Sequence, residues 1–220
     1  MFPLGDASRR PIRYPVMTLA LIIVNSIVFI IELVEGDPFI NRFMMVPANI
    51  VAGKDWYTIY TSMFMHAGWE HIIGNMIFFW AFGPQVEDVM GRYKYLIFYL
   101  LGGTAAAFAE IAADPTSTIP SLGASGAIAA VMGAFLVTYP RDQIRTVVFI
   151  LWFGKITYIP SVVLIGLWFL SQVFSQIGTV TGITTNEGVA YMAHIGGFIF
   201  GAVGGPLFES RELRQEEGLE

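Results

Sequence analysis

The sequence predicts an all-α fold: a polytopic membrane protein built as a six-transmembrane-helix bundle. Of its 220 residues, 55% are hydrophobic and only 13% are charged, with a mean hydropathy of +0.63. A soluble domain of this size carries about a quarter charged residues. The apolar residues also gather into runs close to the ~20 that cross the hydrocarbon of a bilayer. Between those runs the charges cluster.

On that ruler the spans fall at residues 16–34, 69–84, 95–113, 121–139, 160–174 and 188–207. Arg9, Arg10 and Arg13 ahead of the first run resemble a signal peptide. The run is long, however, and ends in Glu35-Gly36-Asp37 with no small-x-small cleavage site, so an uncleaved first span is expected. With the N-terminus inside, the inner segments hold Arg9, Arg10, Arg13, Arg92, Lys94, Arg141, Arg145, Lys155, Arg211 and Arg214, and the outer ones only Arg42 and Lys54. That bias predicts six spans with both termini cytoplasmic.

Three connections need separate treatment. Residues 146–158 are apolar but few and include Lys155, which reads as an interfacial stretch rather than a seventh span. Residues 35–68, rich in Phe, Met, Trp and Tyr, are expected to fold on or into the edge of the outer leaflet. Residues 175–187, rich in Gly and Thr, read as a flexible loop. The expected organisation is a cytoplasmic segment 1–15, a six-helix domain 16–207 and a charged cytoplasmic tail 208–220. A net charge of -5 lacks the basic footprint of nucleic-acid binding, and the absence of cysteine removes disulfides and thiolate chemistry. The lipid bilayer is the expected surrounding.

Polar side chains inside a bilayer are costly, so each calls for a reason. Four stand out: His71 and Asn75 in the second span, Ser125 in the fourth and His194 in the sixth. Counted from the outer ends of their spans, all four lie roughly 3–10 Å deep, in one layer. Ser125 sits between glycines in Gly123-Ala124-Ser125-Gly126, where Gly123 and Gly126 permit close approach and the local N–H groups can hold an anion. Ala193, Gly197, Gly201 and Gly205 form a small-residue stripe, and Ser125, Ala129 and Gly133 offer another. Packed together, these stripes bring His194 to Ser125 as a general base. His71 and Asn75, four apart, share a helix face and suit an oxyanion hole. Asn75 read alone is more often a helix-packing residue, and Ser125 beside glycines, read alone, more often a packing contact. Glu32 and Glu110 are expected to snorkel at the interface, which leaves a Ser–His dyad.

The ordered set His66-x4-His71-x3-Asn75, Val86-Glu87 ahead of Gly91-Arg92, Gly123-x-Ser125-Gly126 and Ala193-His194-x-x-Gly197-x3-Gly201 resembles the rhomboid family of intramembrane proteases. The resemblance implies a six-helix core, Ser125 as nucleophile and His194 as base. It also implies an oxyanion hole of His71, Asn75 and the Ser125 backbone N–H. Substrates would be transmembrane proteins, cut in or near a transmembrane segment without metal or cofactor. The expected setting is a prokaryotic plasma membrane, with the site opening to the outer face because hydrolysis at that depth needs water, and the resemblance suggests 175–187 as its cap. Two positions depart from the pattern. Ala129 stands where some members carry a tyrosine against the histidine, leaving Tyr191 or Phe198 as candidate aromatic walls. Trp56-Tyr57 replaces a Trp-Arg pair.

Three other readings compete with this one. A metalloprotease using His66, Glu70 and His71 needs two histidines four apart, whereas these are five apart, about 140° around a helix. A non-catalytic rhomboid-like protein that binds membrane clients would be expected to lack the serine or the histidine. Transporters pair broken helices near the midplane, and no matching pair is evident.

Overall fold

A computed structural model describes residues 1–150, 153–181, 189–216 and 218–219. The chain opens with strand β1 (Phe2–Asp6) and the long helix α1 (Val16–Glu35). Three short helices follow, α2 (Asp37–Phe43), α3 (Pro47–Val51) and α4 (Thr58–Thr61), then a 3₁₀ turn at Ser62–Phe64. Helices α5 (Trp69–Met90), α6 (Arg92–Ala113) and α7 (Ser125–Thr138) lead to strands β2 (Gln143–Ile150) and β3 (Phe153–Pro160). Helices α8 (Ser161–Val180), α9 (Tyr191–Phe208) and α10 (Arg211–Glu216) complete the described chain. Among the described residues, four helices, α1, α6, α8 and α9, are long and apolar enough to cross a membrane. Of the other two predicted spans, α5 carries Glu70, Glu87 and Asp88, and α7 has only 14 residues.

Helix α7 is the centre of the bundle. Gly126 through Phe135 are all buried, against Phe79 and Phe82 of α5 and Phe98 and Tyr99 of α6. On its other side α9 approaches backbone to backbone: a Cβ at Gly197 would overlap the Gly126 carbonyl, and one at Gly201 the Ala130 carbonyl. The small-residue stripe on α9 is therefore as predicted. Its partner on α7 is not: Gly126, Ala130 and Ala134 meet it, one position on from Ser125, Ala129 and Gly133. Gly133 instead faces Phe198 and Ala202, so the seam is two residues wide.

The end of the bundle away from Ser125 is tied by carboxylates. Helix α1 begins without a side-chain cap of its own. Glu87 of α5 supplies one, accepting from the N–H groups of Met17 (2.8 Å) and Thr18 (2.7 Å) and from the Thr18 hydroxyl (2.7 Å). Asp88 accepts from the N–H groups of Ile12 and Arg13. Gly91, at φ +76°, then turns the chain from α5 directly into α6.

Three expectations are corrected. The fold is mostly helical rather than all-α: β1, β2 and β3 form an antiparallel sheet in that order. Residues 146–158, expected as an interfacial stretch with no strands assigned, form the paired strands β2 and β3 wherever they are described. Val147, Val148, Ile156, Thr157 and Tyr158 are β-branched or aromatic, and pairing satisfies the backbone groups a short helix would leave open. Residues 175–180, expected to be loop, continue α8 as far as Val180, the Thr179 hydroxyl bonding back to the Ser175 carbonyl. The rest of that expected loop, 182–187, lies outside the described residues.

Candidate active site

Ser125 is the first residue of α7, where the N–H groups of the opening turn have no carbonyl partner within the helix. The approach to it is braced from the outer connection. Met45 and Ser121 exchange two backbone hydrogen bonds (3.1 and 2.8 Å), and the Gly123 N–H donates to the Ser62 carbonyl at 2.8 Å. Gly123 adopts φ +135°, and a Cβ there would lie 2.8 Å from His71 Cε1. Only glycine suits that position on both counts.

His194 lies in the first turn of α9, and its Nε2 is 2.8 Å from Ser125 Oγ. The close seam between α7 and α9 makes this distance possible. On the far edge of the ring, His194 Nδ1 is 2.7 Å from Gln172 Oε1. A carboxamide oxygen can only accept, so Nδ1 carries the proton and Nε2 is left to accept from the serine hydroxyl.

His71 and Asn75 occupy the first two turns of α5. The Ala67 N–H donates to His71 Nδ1 (3.3 Å), which leaves the proton on Nε2. That Nε2 reaches 2.9 Å from the Cβ position of Gly123, two residues before Ser125. Asn75 Nδ2 is a buried donor without a partner among the described residues. Next to Ser125 is a cavity of about 30 Å³, walled by Gly103, Ala106, Ala107, Gly126 and Ala190. It has room for a water or a methyl-sized group.

Sequence reasoning missed two neighbours of the site, Trp168 and Gln172, and misread one pair. The aromatic ring against His194 is Trp168, centroids 5.9 Å apart, and not Tyr191 or Phe198. Phe198 instead stacks on Phe169. Gln172 falls inside the predicted span 160–174, with no signal beyond its polarity. Glu32 and Glu110 do not snorkel. Glu32, 3% exposed, accepts from the His66 N–H (3.2 Å), and Glu110 accepts from the Ala193 N–H beside His194 (3.0 Å). His66 itself packs edge-on to His71 at 5.2 Å. Burial, with the nearby His71, pulls the His66 imidazole down to about 4, so it is neutral at pH 7. At Trp56-Tyr57 the Tyr57 hydroxyl anchors the outer connection by donating to the Arg42 carbonyl at 2.8 Å. Among the described residues no three His, Asp or Glu side chains gather as a metal-ligand set.

The Rhomboid domain model matches residues 53–211. Three curated proteins illustrate the likeness. Rhomboid protease GluP of Bacillus subtilis (strain 168) is 33% identical over 88 residues, 40% of this chain and 17% of that protein. RHOMBOID-like protein 12, mitochondrial, of Arabidopsis thaliana is 29% identical over 205 residues, 85% of this chain and 56% of its own length. Rhomboid protease AarA of Providencia stuartii is 25% identical over 206 residues, covering 85% and 70%. The chain thus spans about a sixth and about half of the first two relatives.

Proposed function

The chain belongs to the rhomboid family, and we propose that it is an intramembrane serine endopeptidase cutting membrane proteins in or near a transmembrane segment. One observation carries the reading: His194 Nε2 lies 2.8 Å from Ser125 Oγ while Gln172 holds the opposite nitrogen. A serine hydroxyl is a weak nucleophile until a base takes its proton, and this tautomer of His194 is the one able to do so.

In the proposed mechanism Ser125 Oγ attacks the scissile carbonyl as His194 accepts the hydroxyl proton. The tetrahedral oxyanion is met by His71 Nε2–H, Asn75 Nδ2–H and the Ser125 backbone N–H, with Gly123 leaving room for the His71 ring. The unpartnered donor of Asn75 supports that role. Collapse expels the amine, which takes the proton from His194 and leaves an acyl-serine. Water, deprotonated by His194, then releases the carboxylate and regenerates the hydroxyl. No step calls on a metal or cofactor.

Six helices, α1 and α5 to α9, are proposed to span the bilayer with both termini cytoplasmic in a prokaryotic plasma membrane. The 14 residues of α7 measure about 21 Å against ~30 Å of hydrocarbon. Starting α7 at Ser125 thus recesses the serine below the outer surface, and the small residues around the 30 Å³ cavity suit a small substrate side chain. Reaction with a fluorophosphonate probe in detergent tests the assignment. Wild type should label and Ser125→Ala should not, losing reporter cleavage while stability moves by less than about 1 kcal/mol. Cleavage by purified Ser125→Ala would refute it.

A further inference from the structure

Two sizeable cavities lie away from Ser125, one in the crevice between α1 and α5 and one where the N-terminal segment meets α5. An apolar groove of about 600 Å³ is walled by Leu19, Ile22 and Phe29 of α1 and by Ile73, Ile77 and Trp80 of α5. From Leu19 to Ile30 it follows 11 residues of helix, about 16 Å, which is half of a ~30 Å hydrocarbon core. That is the length of an acyl chain in one leaflet. At the end remote from the active site the groove meets a second cavity of about 480 Å³, Leu4 and Trp80 lining both. This second cavity is more polar than the groove and is basic, with Arg9, Arg10 and Arg13 in its wall and Asp6 its one acid among the described residues.

We propose that this composite cavity binds one anionic phospholipid, its acyl chain in the α1–α5 groove and its headgroup phosphate at Arg10. The arginines divide the work. Arg9 pairs with Asp142, and Arg13 with Asp88 and Glu216, so both are held in place. Arg10 is exposed and has no ion pair among the described residues, leaving its guanidinium for a phosphate. Gln85 Oε1, in the same wall, is buried and without a partner, an acceptor for a headgroup hydroxyl. A transmembrane segment would fill the apolar part equally well, but it supplies no phosphate for the basic end. The arginine-rich end is the cytoplasmic one by the distribution of Lys and Arg, the side on which anionic lipid attracts basic groups. The inference needs the chain in a bilayer with its arginine-rich end cytoplasmic, and needs no catalysis, so it stands or falls separately from the protease reading.

Trp80, shared by both cavities and 45% exposed, is a built-in reporter. In phosphatidylcholine nanodiscs doped with acyl-brominated lipid, the fluorescence difference between wild type and Trp80→Phe isolates its quenching. Brominated phosphatidylglycerol should quench Trp80 at a mole fraction at least fivefold lower than brominated phosphatidylcholine. Arg10→Gln should erase that preference, and Ser26→Phe, which fills the groove, should weaken quenching by both lipids. Soluble glycerol 3-phosphate should not reverse quenching. Reversal by it would assign the basic cavity to a free phosphate and overturn the lipid proposal. Equal quenching by the two lipids, or a preference that survives Arg10→Gln, would do the same. Displacement by an equimolar transmembrane substrate peptide would make the groove a protein-docking surface instead.

Discussion

Gln172 Oε1 lies 2.7 Å from His194 Nδ1, on the ring edge opposite the 2.8 Å contact to Ser125. The residue that fixes the tautomer thus comes from α8, a helix with only Ser161, Ile165 and Gly178 buried. Gln172→Leu removes the acceptor and frees the ring, and loss of such an orienting partner costs about 10–100-fold. Turnover of a saturating transmembrane reporter should fall by that factor with KM little changed. Gln172→Glu, which keeps an acceptor at the same reach, should recover most of the rate. Wild-type turnover by Gln172→Leu would reduce the contact to packing.

The helices and the Ser125–His194 pair were legible because each rests on a local signal: apolar runs of bilayer length, and polar residues at one depth. What escaped depended on where a helix ends or which way it faces. Gln172 and Trp168 reach His194 only because α8 places both on the face turned to α9, and α8 has too few buried positions to advertise that face. Glu32 was misread because depth alone cannot separate a carboxylate that reaches water from one that caps the His66 N–H. The hairpin escapes a reading by apolar length, because its signal is the enrichment of β-branched and aromatic residues in two short runs.

The two proposed oxyanion donors should behave alike under truncation. His71→Ala and Asn75→Ala each leave Ser125 and His194 intact, so activity should drop about 10²–10³-fold without vanishing. Fluorophosphonate labelling, which also passes through an oxyanion, should slow in parallel. A fully active Asn75→Ala would return Asn75 to helix packing.

The seam between α7 and α9 sets the distance from Ser125 to His194, so its glycines should be intolerant. A Cβ at Gly201 would overlap the Ala130 carbonyl, a backbone atom that cannot swing away. Overpacking of this kind costs about 1–3 kcal/mol, so Gly201→Ala should lower the midpoint of thermal unfolding and reduce cleavage. Gly204, three residues on, meets only Phe200 at 3.8 Å. Gly204→Ala should leave both measurements near wild type, which separates a specific seam from a general sensitivity of α9.

The last prediction concerns pH at the end of the bundle opposite Ser125. Burial pushes the Asp6 carboxyl up to about 7, and the adjacent Asp142 adds to the rise. The N–H groups of Ser8 and Arg9 donate to Asp6 and oppose it, but are outweighed. The Arg9 guanidinium faces the same cluster and pairs with Asp142. A carboxyl raised in the folded state favours folding where it is protonated. Its contribution is therefore complete below the ordinary value near 4 and is lost as pH rises through about 7. Asp6 ends β1, which pairs with β2. The consequence is that β1 should hold to β2 more firmly at pH 5 than at pH 8. Hydrogen exchange of the β1 amides, corrected for the intrinsic pH dependence of exchange, should report greater protection at the lower pH. Asp6→Asn, neutral throughout, should keep the low-pH protection at pH 8 and flatten the profile. A profile of unchanged slope in Asp6→Asn would move the titration to another group.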